Sequence, residues 1–116
     1  MAIKDIAFVM YPVSDLKRSV AFYRDVMGFA PGHVAIDAWV EFDLGHSTFG
    51  IGNFEHVGKP GTAQSLAIEV DDLNDYRAAL AKHGLASTEP HETPVCWIAT
   101  VADPDGNRIY LHQAKA

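Results

Sequence analysis

A single cysteine, Cys96, among 116 residues excludes an internal disulfide and a zinc cluster built on thiolates. It also sets the expectation of a reducing, cytoplasmic location. Basic charge is scarce as well: nine Lys and Arg stand against fifteen Asp and Glu, giving a net charge of −6 and a pI near 5.3. With no basic patch to neutralise phosphates, the composition argues against nucleic acid as a partner. The densest basic pair, Lys17-Arg18, reads as a solvated helix face. No apolar run reaches the roughly 18 residues that a membrane-spanning helix needs. Met1-Ala2-Ile3-Lys4-Asp5 lacks the charged-then-apolar order of a signal peptide. A phosphate-cradling glycine motif is missing too, since Gly45 to Gly52 has neither a lysine nor a following helix. There is no serine nucleophile elbow.

What is present is a globular composition, 48% hydrophobic and 21% charged, and an internal repeat. Val13-Ser14-Asp15-Leu16 leads into a helical stretch ending at Met27-Gly28-Phe29, and 57 residues later Val70-Asp71-Asp72-Leu73 leads into another ending at His83-Gly84-Leu85. A repeat of this kind implies two copies of one supersecondary unit packed together. In the first copy, Ile6 to Tyr11 reads as a strand stopped by Pro12. Ser14 or Asp15 caps a helix whose buried stripe is Leu16, Val20, Tyr23 and Met27. Ala38 to Leu44 and Thr48 to Ile51 read as strands about a turn at Gly45-His46. Residues 53–62 are the connector. In the second copy, Ser65 to Val70 is a strand, and Asp71 or Asp72 caps a helix buried along Leu73, Tyr76 and Leu80. Ala86 to Glu89, Val95 to Val101 and Arg108 to His112 are read as strands, with Asp103-Pro104-Asp105-Gly106-Asn107 as a turn. The expectation is one α+β domain over residues 1–116. It has two β-α-β-β-β modules (1–57 and 63–116) forming a curved, cup-shaped sheet.

The doubled order, the string Asp15-Leu16-Lys17-Arg18-Ser19-Val20-Ala21-Phe22-Tyr23 ending at Gly28-Phe29, and the Asp103–Asn107 turn together resemble the vicinal oxygen chelate superfamily. That group includes glyoxalase I, extradiol dioxygenases, fosfomycin-resistance enzymes and bleomycin-resistance proteins. The resemblance implies a ligand cavity closed by two modules, often across a homodimer. Fold alone does not assign chemistry.

In the metal-dependent members, ligands stand on the first and last strands of each module. Carried over by spacing, those positions fall on Phe8, Gly50, Ser65 and Tyr110. Divalent transition metals take imidazole, carboxylate or thiolate donors at about 2.0–2.3 Å; phenyl and glycine donate nothing, and Ser and Tyr are poor donors at neutral pH. The expectation is therefore no metal and no cofactor, a divalent ion remaining open only through displaced ligands. His46, His56, His83 and His91 fall in predicted turns, the connector or a helix end, and His33 lies in an undefined segment. His112 shares strand parity with Tyr110 and faces the cup, where Glu41 or Glu69 could pair with it for acid–base work. Phe8, Trp39, Ser65, Trp97, Tyr110 and His112 are the candidate ligand-binding residues. Either tryptophan could instead pack under the helices, and Glu41, Asp43 and Glu69 would favour a cationic ligand if they face the cup. Cys96 reads as a small buried hydrophobe. The leading function is metal-independent binding of an aromatic or cationic small molecule. The alternative is an enzyme of the same superfamily, a lyase, isomerase or dioxygenase working through His112, Glu41, Glu69 and Tyr110.

Overall fold

Two sheets of four strands carry the repeat. The computed structural model describes residues 1–116. The first unit holds β1 (Val9–Pro12), α1 (Leu16–Ala21) continued by a π-helical turn (Phe22–Val26), β2 (Ala30–Ile36), β3 (Trp39–Leu44) and β4 (Ser47–Gly52). A 3-10 turn at Glu55–Val57 lies in the connector. The second unit holds β5 (Leu66–Glu69), α2 (Leu73–Lys82), β6 (His91–Glu92), β7 (Cys96–Ala102) and β8 (Arg108–Ala114). The strand orders are β1-β4-β3-β2 and β5-β8-β7-β6. The opening strand of each unit runs parallel to its last, and the other pairs are antiparallel. The chain therefore has the expected cupped α+β architecture.

Local chemistry explains the helix ends. Asp15 accepts from the Arg18 N–H and Asp72 from the Asp75 N–H, so each aspartate settles one of the free donors of a first turn. Gly28 and Gly84 follow at φ of 78° and 77°, the left-handed conformation that ends a helix with least strain in glycine.

One face of each sheet is core. Phe42, Phe49 and Ile51 alternate with Glu41, Gly50 and Gly52, and only the first three point into a continuous cluster shared by both units. Tyr23 sits at its centre, against Phe22, Phe29, Phe42 and Phe49. From the second unit come Leu66, Leu73, Leu80, Ala99, Val101, Ile109 and Leu111.

The Asp103–Asn107 turn is the polar pin between the units. Fully buried Asn107 donates to the Pro12 carbonyl at 2.7 Å and to Asp103 at 2.8 Å, while its side-chain oxygen accepts from the N–H groups of Gly61 and Ala63. Asp103 accepts from the Tyr23 hydroxyl at 2.7 Å, and Asp105 holds Ser14 and Arg18 at the start of α1. Tyr11 donates to the Arg108 carbonyl and accepts from the Leu66 N–H. Burial first, and then Asp103, pushes the Tyr23 hydroxyl far above the ordinary tyrosine range.

Several expectations need correction. The first strand begins at Val9 rather than Ile6, the parallel pairing with β4 opening at Val9 and Phe49. Along α1, the π turn and its C-cap the buried residues are Ser19, Phe22, Tyr23 and Met27, with Leu16 and Val20 at the margin. The π turn admits one extra residue and rotates the stripe, as the Met27 N–H to Phe22 carbonyl bond shows. His33 lies on β2, an exposed strand with a register shift between Pro31 and Ala35. Residues 86–89 form no strand. Thr88 alone bonds Thr100, and pairing starts at His91, after Pro90, which has no N–H to give. His91 is thus a strand residue rather than a turn residue.

Candidate functional site

The candidate surface is the face of each sheet turned away from its helix. On the first sheet, register places Met10, Gly50 and Glu41 in one row and Gly52 and Trp39 in the next. Side chains directly across from one another share a face, so Phe8, Met10, Trp39 and Glu41 stand on the open side, opposite Phe42 and Phe49. Gly50 and Gly52 make room for the indole. A Cβ on Gly50 would stand 2.1 Å from Trp39 Cζ2, and one on Gly52 would meet Trp39 Cε3 at 3.0 Å. The ring therefore lies against bare backbone, with Phe8 edge-on at 5.1 Å and Phe54 at 6.1 Å between centroids. The indole N–H is donated to Glu41 Oε2 at 2.9 Å, which fixes the ring's rotation and leaves Oε1 of the carboxylate for another partner. Phe8, Met10 and Phe54 are each more than two-fifths exposed. The result is an open aromatic floor with one carboxylate at its side.

On the second sheet Ser65, Ala67 and Glu69 of the β5 strand region face the same way as Tyr110 and His112 of β8. Glu69 lies across from His112 in register, and Glu69 Oε1 meets His112 Nδ1 at 2.5 Å. Glu69 Oε2 accepts from the Ala114 N–H at 2.7 Å. That N–H first, and His112 second, hold the Glu69 carboxyl below the usual carboxylate range. Of the two carboxylates weighed as partners for His112, Glu69 is the one that meets it; Glu41 is spent on the other sheet.

Trp97 does not join this surface. It shares a face with the core residues Ala99 and Val101, under α2, lining a cleft of about 270 Å³ with Leu73, Pro90 and Gln113. Strand parity decides its placement, and its expected role on the cup side is corrected accordingly. Cys96 is buried, with Sγ 3.0 Å from Thr93 Oγ1. A larger groove of about 900 Å³ runs along β5, floored by Phe29, Phe49 and Leu66, with Ser65 and Glu69 on its lining.

The four positions that the family resemblance assigns to a metal, Phe8, Gly50, Ser65 and Tyr110, do not fit one. Two offer no donor atom, the indole of Trp39 covers Gly50, and no three His, Cys, Asp or Glu side chains converge anywhere in the chain. Sequence reasoning missed Met10, Gly52 and Phe54 as parts of the floor. Two glycines spaced two apart on one strand were the available signal, since they mark a close approach to that face.

Comparison with known proteins places this geometry in a family. The model of the glyoxalase/bleomycin resistance protein/dioxygenase superfamily matches residues 5–111. The chain belongs to that superfamily. A lactoylglutathione lyase of Haemophilus influenzae is 32% identical, covering 96% of this chain and 93% of its own length. The superfamily's solved structures include TnmS3, an antibiotic binding protein from Streptomyces sp. CB03234, with a TM-score of 0.85, 29% identity and 99% of each chain covered. They also include a lactoylglutathione lyase from Agrobacterium tumefaciens, with a TM-score of 0.80 and 18% identity over 97% of this chain and 95% of that one; this second likeness concerns the fold. Superfamily membership thus spans binders and lyases alike.

Proposed function

We propose that this chain is a metal-independent binding protein for a flat, aromatic or cationic small molecule. The observation that carries the reading is the Trp39 indole seated on Gly50 and Gly52 where a metal ligand would otherwise project, flanked by Phe8 and Phe54. Exposed aromatic faces offer stacking surface, and a carboxylate beside them favours a cation. Glu41, fixed by the indole N–H, supplies that charge. The likeness to an antibiotic binding protein supports sequestration as the mode of action.

A second copy of the chain is the partner in this reading. Phe8, Met10, Ile36 and Phe54 leave an apolar surface open, and a homodimer would cover it and turn an open floor into a closed cavity. The protein would act in the cytoplasm, where its one thiol stays reduced.

The test is a titration of proflavine, a planar aromatic cation, followed by tryptophan quenching. Trp39→Ala is expected to weaken binding at least tenfold, about 1.4 kcal/mol, while Trp97→Phe leaves it within twofold. Equal affinity in wild type and Trp39→Ala would remove the reading. A superfamily enzyme is the second reading, favoured by the Glu69–His112 contact and the lyase relative. Turnover of a bound compound that is lost in His112→Gln would establish it.

A further inference from the structure

We propose that Glu69 and His112 form a proton-accepting dyad on the open face of the second sheet, a site for a ligand bearing a weakly acidic hydroxyl such as a phenol. It rests on the reading above only in taking the ligand to be a small molecule; the aromatic floor on the first sheet is a separate device.

The geometry is built rather than incidental. Glu69 is held at both oxygens, one by the Ala114 N–H and one by His112 Nδ1. A carboxylate so fixed keeps the proton of a neutral imidazole on Nδ1, which leaves Nε2 with its lone pair bare. Nε2 has no protein partner, and the side chain is about one-third exposed. His112 is therefore a base with its tautomer already chosen.

Register supplies the surroundings. His91, Ile98, His112 and Glu69 form one row across the sheet, and Thr100, Tyr110 and Ala67 form the next. The titratable groups of this face are thus Glu69 from β5, Arg108 and Tyr110 from β8, Cys96 from β7 and His91 from β6. Cys96 is turned into a bond with Thr93. Lys115 pairs with Glu92 and lies over Trp97, so it brings no charge to the dyad. Glu69 is the nearest charge, in contact with the imidazole at Nδ1.

The step balances without a co-reactant. The ligand O–H bond breaks with its electron pair left on oxygen, the proton forms a new bond to His112 Nε2, and the product is a phenolate beside an imidazolium held by Glu69. Here His112 accepts the proton and Glu69 positions and stabilises it.

The experiment uses para-nitrophenol, whose ionised form alone is yellow, at a pH where the free compound is mostly protonated. Wild-type protein is expected to bind it saturably with growth of the phenolate band. His112→Gln should lose that band, and Glu69→Gln should lower the ionised fraction about tenfold, as removal of an adjacent opposite charge does. Long-range proton–nitrogen NMR should show His112 protonated on Nδ1. No saturable binding, binding without ionisation, an unchanged band in His112→Gln, or a proton on Nε2 would each overturn the proposal. Were the pair only a tie between β5 and β8, both variants would melt earlier and leave the band unaltered. Trp39→Ala separates the two readings: it weakens proflavine binding at least tenfold under the first and leaves the phenolate band intact under this one.

Discussion

Trp39 and Gly50 make one unit, because the indole occupies the volume that any side chain at position 50 would need. Gly50→Ala forces the ring off the sheet. It should cost about 1–3 kcal/mol in stability, the range for overpacking a fitted site, and weaken proflavine at least as much as Trp39→Ala. Urea unfolding and the quenching titration measure the two effects on the same samples. Asn107 presents the opposite case, a buried side chain that four partners require. Asn107→Ala leaves the Pro12 carbonyl and the N–H groups of Gly61 and Ala63 without partners, a loss of about 3 kcal/mol or more. Chemical denaturation checks it, and a value under 1 kcal/mol would show that water repairs the site. These residues also mark how far the sequence was legible. The resemblance, carried over by spacing, puts the expected metal positions at Phe8, Gly50, Ser65 and Tyr110, residues that are poor donors or none. It did not reveal that Trp39 fills the vacancy, because which face a tryptophan takes depends on strand registers that no local pattern states. The Glu69–His112 contact was out of reach for the same reason: it spans 43 positions and arises from a parallel pairing.

At the level of elements, the two helices are capped alike and should respond alike. Asp15→Ala and Asp72→Ala each remove an acceptor from a first-turn N–H and are expected to lower stability by about 1 kcal/mol, close to additively. Thermal or urea melts of both single variants and the double variant test this. Helix starts, helix ends, the Gly45-His46 turn and the Asp103–Asn107 turn were readable because cap and turn chemistry is local. The β2 strand was harder. It is mostly exposed and shifts register near Gly32, so it shows neither alternation nor a continuous apolar run. Residues 86–89 carry one strand former, Thr88, and are bonded to β7 only through it. There, tertiary pairing decides what propensity leaves open.

Across the whole molecule, three tyrosines couple the fold to pH. Tyr11, Tyr23 and Tyr76 all have hydroxyls raised mainly by burial, Tyr76 to about 12. The fold favours each neutral phenol. The stability they contribute is therefore complete below the ordinary tyrosine value of about 10 and falls as pH rises from there through about 12. The urea midpoint should drop steeply over that range, and less steeply in Tyr76→Phe. The same two-module frame that buries these phenols leaves the opposite sheet faces open, and the central claim is that the first of them binds a ligand without metal. Its most direct test is one proflavine titration of protein stripped with EDTA, repeated after Zn²⁺ or Ni²⁺ is restored. The account predicts the same dissociation constant in both, raised at least tenfold in Trp39→Ala. Binding that appears only when metal is returned, or that keeps its affinity after the loss of Trp39, would contradict it.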